Sequence, residues 1–255
     1  MCAAGRGPCR FLDFDSEFFG RRIARVLAPR LGAAEARGIH AFVRDESIDC
    51  LYYLARSGDR ESIRRAEDLG FRLTDLRLTI ARPLQAPGLE LPAERPGAVR
   101  LSTPKDVPAL AEIARVSHRD SRFYSDPHFP EARCDDLYAL WIERKCTGGA
   151  DAVFVAEHEG RPAAYLSCDL HEGDSGQLDL LAVAPAARGH GLGTLLTAVS
   201  LRWFAERGKR RAFLVTQGSN AHSLRLFGEG FGFVPQELEL WYHWWPAEDA
   251  ARSGA

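Results

Sequence analysis

Three glycines stand at alternate positions between two apolar runs, in the stretch LDLLAVAPAARGHGLGTLL that spans residues 178–196. Glycine takes positive φ angles readily and lets a ligand approach the main chain, but its flexibility costs about 0.5–1 kcal/mol per site in regular structure. We therefore expect a bound ligand to offset the cost of Gly189, Gly191 and Gly193. The chemistry that suits this spacing is the binding of an anion by backbone N–H groups where a helix begins.

Several ligands bind glycine-rich loops, and the spacing discriminates between them. A dinucleotide-binding loop has the pattern G-x-G-x-x-G with an acidic residue about 20 positions later, whereas this loop is G-x-G-x-G and is followed at that distance by Lys209, Arg210 and Arg211. A nucleotide P-loop needs Gly-Lys-Ser/Thr, which this loop lacks. The pattern favours a pyrophosphate at the N-terminus of a helix over 194–207, with Arg188 adding a positive charge. A plain glycine-rich turn is the alternative.

Hydrophobic patterns after residue 98 predict the elements that position this loop. AVRLST indicates a strand, and PKDVPALAEIARVSH indicates a helix with Thr103 as N-cap and Pro104 at its first position. CDDLYALWIERKC has helical spacing, and DAVFVAEHEGRPAAYLSCDLH indicates a hairpin that turns at EGRP. These are followed by strands over 178–183 and 212–216, helices over 194–207 and 221–229, and a last strand ELELWYHWW. This order predicts an α/β layered domain.

Composition argues against several classes of protein. The net charge of −2 over 255 residues gives no electrostatic case for nucleic acid, and no apolar run approaches the roughly 18 residues that cross a bilayer. The start, MCAAGRGPCRFLDF, shows no apolar segment of a secretory signal. The six cysteines are scattered and form no CxxC pair, so we expect no metal site and free thiols in a cytoplasmic protein.

The chain divides at a proline-rich stretch. Prolines at 83, 87, 92 and 96 predict an extended linker over 85–97, and small polar residues predict a flexible tail over 247–255. Before the linker, GFRLTDLRLTI matches GFVPQELELWY, and ESIRRAED matches HSLRLFGE, whereas RVLAPRLGAAE aligns with the glycine loop but lacks its glycines. We interpret 1–84 as a degenerate half that serves as a scaffold for a functional domain over 98–246. Chance similarity of short amphipathic segments is the alternative.

Two motifs resemble those of the GNAT acyltransferases. LLAVAPAARGHGLGTLL resembles their acyl-CoA-binding motif, Arg/Gln-x-x-Gly-x-Gly/Ala, with Arg188, Gly191 and Gly193 at the motif positions. VTQGSNAHSLRLF resembles their Asn-x-x-Ala-x-x-Leu-Tyr helix, and the resemblance covers 98–245. It implies the GNAT fold, a mixed and mostly antiparallel sheet flanked by helices, here preceded by a smaller GNAT-like half. The helix residues at the motif positions are Asn220, Ser223, Leu226 and Phe227.

Four segments are similar to the dTDP-fucosamine acetyltransferase group of amino-sugar N-acetyltransferases: DFDSEFFG, DSRFYSDPHFP, VTQGSN and LWYHWW. This resemblance implies an enzyme in which a small-molecule amine attacks the thioester of acetyl-CoA directly. A nucleotide-linked amino sugar is the acceptor it suggests. We also expect a monomer or homodimer with no metal and no nucleic-acid or membrane partner. The alternative is a non-catalytic acyl-CoA-binding or protein-interaction module.

The resemblance also implies the site residues, which fall into three sets. The catalytic set is Val183, whose N–H meets the oxyanion, with Asn220, Asp179 and Tyr242. The acyl-CoA set is Leu181, Ala182, Val183, Arg188, Gly189, His190, Gly191, Leu192, Gly193, Thr194, Asn220, Ser223 and Phe227. The acceptor set is His118, Arg122, Phe123, Tyr124, Phe129 and Gln217, in which Arg122 pairs with a phosphate and the aromatic rings stack. A loop fastened by aromatic anchors is the alternative for 120–130.

Phe227 departs from the family pattern. The family's tyrosine, the usual acid for the leaving thiolate, is absent at this position, and the helix is one residue longer before Gly-Phe than the family spacing. Ser223, through a water molecule, and Tyr242 are the candidates to replace that acid.

Two residues are candidates for the base that takes the proton of the amine. Strand alternation places Asp179 on the face shared with Gln177 and Leu181, where a ligand would shift its pKa. His118 titrates near neutrality. An edge carboxylate bonded to a neighbour and a solvated histidine are the structural alternatives.

Overall fold

The computed structural model describes residues 8–85 and 99–246, which contain ten strands and eight α-helices. The expected linker, beyond Gln85, and the expected tail lie outside the described residues. The strands are β1 Cys9–Phe11, β2 Ile23–Val26, β3 Cys50–Arg56, β4 Arg72–Pro83, β5 Val99–Leu101, β6 Ala152–His158, β7 Arg161–Leu170, β8 Ser175–Val183, β9 Arg211–Gln217 and β10 Val234–Trp244. The helices are α1 Asp13–Phe19, α2 Ala33–Asp45, α3 Arg60–Asp68, α4 Val107–Arg115, α5 Arg122–Ser125, α6 Glu131–Arg144, α7 Leu192–Glu206 and α8 Ala221–Leu224.

The strands are hydrogen-bonded in the order β1-β2-β3-β10-β4-β9-β8-β7-β6-β5, and antiparallel pairs predominate. The pairs β2–β3 and β8–β9 are parallel. This mixed sheet flanked by helices confirms the expected α/β class. Among the described residues, no helix has both the length and the apolar composition needed to span a membrane.

The chain groups into two compact units. The first holds Met1–Arg77, Ser125–Phe129 and Leu238–Ala255, and the second holds Leu78–Tyr124 and Pro130–Glu237. The division therefore differs from the expected domains over 1–84 and 98–246, because two later segments group with the N-terminal residues.

The second unit buries both faces of its sheet. On one face α7 contributes Leu196 and Phe204 to a core with Leu178 of β8. On the other face α4 and α6 pack around Tyr165 of β7. Gly176 has to lack a side chain, because a Cβ there would overlap the ring of Phe204. Strand β8 is thus held between two layers of helices.

Helix α4 begins later than the sequence predicts. It starts at Val107, and the expected N-cap, Thr103, instead donates both its backbone N–H and its hydroxyl to the Asp106 carboxylate, at 2.7 and 2.8 Å. Arg100 adds two more hydrogen bonds to the same carboxylate. Burial raises the pKa of Asp106 but is outweighed, since the Arg100 bond acts most strongly and holds the pKa of that carboxyl well below its usual range.

The N-terminal half repeats the element order of the C-terminal part. The order β2-α2-β3-α3-β4 matches β8-α7-β9-α8-β10, and the leading pair of strands is parallel in each. At the start of α2, however, the Gly32 N–H donates to the Glu35 carboxylate at 3.0 Å, and the Leu31 N–H donates to Ser62 at 2.8 Å. The protein's own groups therefore occupy donors that an anion would need.

A buried carboxylate fastens the segment Ser125–Phe129 within the first unit. Asp126 contacts His243 Nδ1 at 2.6 Å and accepts from Trp245 at 2.9 Å, and both partners are buried. Burial raises the pKa of Asp126, but these bonds and that of the His128 backbone N–H outweigh it and keep the pKa well below its usual range. Phe129 is buried beside Phe19 and Trp245.

We expect the Asp126→Ala variant to lower the free energy of unfolding by about 3–5 kcal/mol, because it leaves His243 in a buried site without its carboxylate. Urea denaturation at pH 7 measures the change. Asp120→Ala, at an exposed position of the same loop, is the matched control and should stay within about 0.5 kcal/mol of the parent. Equal losses in the two variants would contradict this account of Asp126.

Candidate active site

Strands β8 and β9 separate halfway along their length. Their parallel pairing runs from Ser175–Arg211 to Leu178–Leu214, yet β8 continues to Val183 and β9 continues to Gln217. The C-terminal half of β8 is therefore hydrogen-bonded to β7 on one side, and its pairing with β9 has ended on the other.

A β-bulge lies where the two strands separate. Asp179 and Leu180 together oppose the single residue Ser167, and the Leu180 N–H donates to the Ser167 hydroxyl at 3.0 Å. A bulge of this kind bends a strand and re-aims its side chains. Ser167 is fully buried, so its hydroxyl supplies the partner that the amide of the extra residue would otherwise lack.

The bulge interrupts the strict alternation of side chains that the sequence predicts for β8. Leu181 and Val183 pack against the core of α7, whereas Leu180 and Ala182 pack on the face of α4 and α6. Asp179 lies on that second face, because its carboxylate contacts Lys145 at the end of α6. The expectation that Asp179 and Leu181 share a face was therefore wrong, since the extra residue reverses the alternation.

Two backbone N–H groups of β8 point away from β7. The Ala184 N–H donates to Ala163 at 2.8 Å, so in this antiparallel ladder Ala182 also bonds β7, and Leu181 and Val183 point outward. Outward here means toward the side where pairing with β9 has ended. Ala182, which was expected to contact acyl-CoA, instead has its N–H in the ladder and its side chain buried on the other face.

The glycine loop leads into helix α7, whose first backbone N–H groups precede the first hydrogen bond of the helix. Gly191 has φ +74°, and the first helical bond runs from the Leu195 N–H to the Gly191 carbonyl at 3.0 Å. The N–H groups of Leu192, Gly193 and Thr194 precede that bond and point out of the helix. Beside Gly191, and beside Gly189 at φ +82°, a Cβ would meet no heavy atom within 4 Å. The loop thus presents a row of N–H groups on an open surface.

Two side chains flank this row. Arg188 is exposed, and its Nε lies 3.4 Å from the Val183 carbonyl. The ring of His190 has Nδ1 at 3.3 and 3.1 Å from the carbonyls of Ala187 and Arg188, and its centroid lies 4.4 Å from that of the His158 ring, with the two planes tilted by 43°. Backbone carbonyl groups of the loop and of the end of β8 therefore hold the side chains of Arg188 and His190.

Asn220 and Phe227 have structural roles in the helix that follows β9. The Asn220 side chain caps α8 by accepting the Ser223 N–H at 2.9 Å. After α8 the chain forms a π-helical turn over Arg225–Glu229, which accommodates one extra residue. Phe227 in this turn is 3% exposed and packs edge-on against Phe233. Its position therefore holds an apolar ring and no proton donor.

Two expected site residues lie in the core of the first unit. Tyr242 is 1% exposed and its hydroxyl donates to Glu67 at 3.1 Å; burial, together with that bond, raises its pKa to about 12. Phe129 is a buried anchor beside Phe19. Neither side chain is presented to a ligand, which corrects the expectation of a catalytic Tyr242 and a stacking Phe129. The local sequence pattern around Tyr242 and Phe129 does not reveal that the two side chains are buried.

The loop before α6 is a mixture of anchors and partly exposed groups. Phe123 is buried against Trp141, which favours an anchor rather than a stacking surface. Arg122 lies 4.1 Å over the Phe123 ring, and Tyr124 donates to Asp135 at 2.6 Å. Gln217 ends β9 and is partly buried.

His118 follows α4 in a left-handed conformation with φ +57°. Its Nε2 is 2.9 Å from the Tyr165 hydroxyl, and its ring stacks on Tyr138 at 4.7 Å. Burial lowers the pKa of His118 to about 4, although the charge of Asp179 acts in the opposite direction. The imidazole is therefore neutral near pH 7 and keeps a lone pair that can accept a proton, although so low a pKa makes it a weak base. Tyr138 and Tyr165 were not predicted as site residues, because their apolar helix and strand patterns indicate only core residues.

Lys145 joins two carboxylates near the bulge and was also missed. Its Nζ lies 2.7 Å from Asp169 and 2.7 Å from Asp179. Burial lowers the pKa of Lys145, but the two carboxylates outweigh it and raise the pKa overall. Asp179 is thus engaged in an ion pair, which leaves His118 as the better candidate base.

Comparison with known proteins identifies the domain that carries these features. Residues 111–233 match the family model "Acetyltransferase (GNAT) family". The spore coat polysaccharide biosynthesis protein SpsD of Bacillus subtilis is 31% identical over 147 residues, which cover 58% of this chain and 50% of SpsD. A mycothiol acetyltransferase of Frankia casuarinae is 29% identical over 195 residues, which cover 70% and 54%. The chain thus spans about half the length of these two relatives.

The resemblance to dTDP-fucosamine acetyltransferases is also confirmed. The enzyme of that name from Escherichia coli O6:H1 is 28% identical over 163 residues, which cover 63% of this chain and 66% of the enzyme. Among solved structures, a GCN5-related N-acetyltransferase from Sphaerobacter thermophilus matches with a TM-score of 0.63 at 16% identity, over 93% of this chain and 76% of that one. A tandem GNAT protein from the clavulanic acid pathway matches with a TM-score of 0.60 at 17% identity, over 89% and 76%. These two structures share the fold.

We expect protonation of His118 to lower stability as the pH falls from about 6.5 to about 4. The folded state holds this imidazole neutral, so the unfolded state binds more protons in that window and unfolding becomes easier. Relative to His118→Asn, which tolerates the left-handed conformation, the parent should lose on the order of 1–2 kcal/mol. Urea denaturation at pH 4.0, 5.5 and 7.0 measures this, and the exposed His40→Asn is the control. Parallel profiles for parent and His118→Asn would contradict the prediction.

Proposed function

Since residues 111–233 belong to the GNAT acetyltransferase family, we propose that this chain transfers the acetyl group of acetyl-CoA to a primary amine of a small molecule. One observation carries the proposal: the outward N–H groups at the start of α7 lie next in sequence to a strand, β8, whose outward N–H groups have lost their pairing with β9. The first set suits a pyrophosphate, and the second set suits a thioester carbonyl.

The cofactor end of the site is the glycine loop. The N–H groups from Gly189 to Thr194 and the positive end of α7 would hold the pyrophosphate of CoA. Arg188 adds a charge-assisted contact. Leu181 and Val183 would line the slot for the pantetheine chain on the α7 face. His190 and Leu192 contribute through their backbone.

The chemical step is nucleophilic attack of the neutral amine on the thioester carbon. The carbonyl π electrons move to oxygen, and the oxyanion accepts from the Val183 N–H, a contact worth about 3 kcal/mol in comparable sites. When the oxyanion re-forms the carbonyl, the C–S bond breaks, and the thiolate leaves with the electron pair of that bond. The proton of the ammonium passes to His118, whose Nδ1 lone pair is available when Nε2–H donates to Tyr165.

The leaving thiolate has no phenol to protonate it at the family position. Phe227 is buried against Phe233, and the Tyr242 hydroxyl is bonded to Glu67 in the first unit. A thiol with an ordinary pKa near 8.5 leaves as a tolerably stable anion, so solvent near Ser223 can protonate it afterwards. Catalysis then depends on orientation and on the oxyanion contact.

The acceptor that the relatives suggest is an amine on a sugar or sugar-derived metabolite. Their names refer to a spore coat polysaccharide, to mycothiol and to dTDP-fucosamine. Polar side chains on the α4–α6 face, including His118, Tyr124 and Asp179, support a hydroxylated acceptor there. We propose in addition that residues 1–84 are a scaffold, because Glu35 and Ser62 fill the N-terminus of α2 from within.

The test of the function is acetyl-CoA-dependent thiol release on a panel of amines and amino sugars. Release that requires the amine, with one acetyl group appearing on it, would support the proposal. Tight binding of acetyl-CoA without transfer to any amine would instead favour the non-catalytic module.

We expect Gly191→Asp to weaken acetyl-CoA binding at least tenfold, because it places a carboxylate beside the pyrophosphate. Asp tolerates a left-handed conformation and a negative charge favours a helix N-terminus, so the fold should keep its stability. Gly193→Ala is the matched control: its Cβ meets Leu226 at 3.5 Å in ordinary contact. Calorimetry measures both affinities, and native mass spectrometry should count one acetyl-CoA per chain. Unchanged binding by Gly191→Asp, or a second bound molecule, would contradict the assignment.

We expect Phe227→Tyr to change the single-turnover rate of acetyl transfer by less than tenfold. The new hydroxyl enters a buried position against Phe233, whereas a well-placed general acid contributes about 10²–10⁴-fold. Tyr242→Phe should leave the rate unchanged, since that hydroxyl bonds Glu67. A tenfold or greater gain in Phe227→Tyr would show that a proton donor was missing and that its absence limits the rate.

A further inference from the structure

Two histidine rings lie together beside the glycine loop. His190 stands between Gly189 and Gly191, and the centroid of its ring is 4.4 Å from that of the His158 ring. His158 is the last residue of β6, so the two rings come from parts of the chain that are distant in sequence. His190 is exposed and His158 is half-buried, so solvent reaches the pair.

The fold places His158 on the side of the sheet that carries the loop. Phe154 and Ala156 of β6 belong to the core on the face of α7, and alternation along β6 puts His158 on the same face. The bulge beside it does not change this, because the extra residue, Ala163, lies in β7. The pair therefore borders the backbone N–H groups at the start of α7, since His190 directly precedes the N-cap of that helix.

Hydrogen bonds identify the nitrogen of His190 that can change its protonation. Nδ1 lies 3.3 and 3.1 Å from the carbonyl oxygens of Ala187 and Arg188. A carbonyl oxygen only accepts, so the tautomer assigned from these partners carries its hydrogen on Nδ1, and Nε2 is the nitrogen that gains or loses a proton. Histidine is the side chain that changes charge most readily between pH 5 and 8.

The elements around the pair carry charges of both signs. Glu157 of β6 is held by Arg100, with an N–O distance of 2.6 Å, and α7 has no charged side chain from Leu192 to Leu201. The other charged or titratable groups of the neighbouring elements are Glu159, Arg161, Arg188, His222 and Arg225. Among these residue types histidine is the one that titrates near neutrality. A proton taken up in this region would therefore go to His158, His190 or His222.

A bound polyanion would favour a charged pair. Two positive imidazole rings at this separation repel each other, whereas a phosphate attracts both rings and makes Nε2–H a charge-assisted donor. We propose, building on the function proposed above, that the pair of His158 and His190 binds the phosphates of acetyl-CoA and takes up a proton from solvent as it does so. Because the complex then holds more protons than the free protein, binding of acetyl-CoA tightens as the pH falls.

Calorimetry in buffers of different ionisation enthalpy counts the protons taken up on binding. The probe is acetyl-3′-dephospho-CoA, which keeps the pyrophosphate but lacks the phosphate monoester, whose own ionisation at a pH of about 6 would add to the count. At pH 7.0 we expect uptake of at least about 0.3 proton per bound molecule, and at least about fivefold tighter binding at pH 6.0 than at pH 8.0. His118 adds nothing to this count, since its pKa of about 4 keeps it neutral throughout.

The double variant His158→Gln/His190→Asn replaces both rings by neutral side chains. The new Asn keeps a donor near the place of Nδ1–H, so the loop carbonyls retain a partner. We expect its uptake to fall below about 0.1 proton and its affinity to change less than about twofold between pH 8.0 and 6.0. His222→Asn, on the exposed surface of α8, is the matched control and should keep the uptake of the parent. A purely structural role for the pair would weaken binding equally at every pH.

The single variant His158→Gln leaves the loop unaltered and should lose at least half of the uptake, so it serves if the double variant does not fold. The same difference between parent and variants should appear with acetyl-CoA itself. Binding without proton uptake in the parent, or uptake that persists in the variants or disappears in His222→Asn, would overturn this inference and leave the proposed acetyltransferase function standing. Failure of the parent to bind either acetyl thioester at any pH would overturn both.

Discussion

The candidate site depends on one extra residue in strand β8. Without the bulge at Asp179 and Leu180, regular alternation would direct Asp179 and Leu181 to the same face. The bulge is stable because the buried Ser167 hydroxyl accepts the Leu180 amide. It places an acidic side chain on the face of α4 and α6 and leaves apolar Leu181 and Val183 against α7. The strand therefore separates the face on which we propose that the acyl donor binds from the polar face that we propose for the acceptor.

The separation of β8 from β9 adds the second condition. In an uninterrupted parallel pair the outward N–H groups of β8 would bond β9, and a ligand would have to compete with them. Here the pairing ends at Leu178 and Leu214, so the donors at Leu181 and Val183 remain for another acceptor. The same strand continues into the glycine loop, whose N–H groups precede the first helical bond of α7. We therefore expect backbone N–H groups to make most of the contacts with the acyl donor, and side chains to add to them.

The sequence predicts the elements well and their interactions poorly. Periodicity located β8, α7 and β9, because apolar alternation and helical spacing depend only on neighbours along the chain. It placed the strand face of Leu181 and the role of Tyr242 wrongly, because the first depends on a bulge bonded to Ser167 and the second on Glu67, which is far away in sequence. It placed the Thr103 cap wrongly because the carboxylate of Asp106, three residues later, accepts from Thr103 and is held by Arg100. A local pattern does not identify these partners. The glycine spacing indicated the backbone of the loop correctly, with positive φ at Gly189 and Gly191, because such spacing encodes backbone conformation directly.

A second one-residue insertion, in the helix after β9, places an apolar ring where the family has a phenol, whereas the bulge of β8 places a polar side chain on its face of the sheet. The π-helical turn over Arg225–Glu229 absorbs an extra residue, as the bulge of β8 does, but it does so inside a packed core. Phe227 lies edge-on against Phe233 there, and a phenol at the same place would bury a hydroxyl that needs a partner. An apolar ring is therefore the residue that this turn accepts most easily. The proposed mechanism is compatible with that loss, because neither its oxyanion contact nor the departure of the thiolate requires the missing phenol.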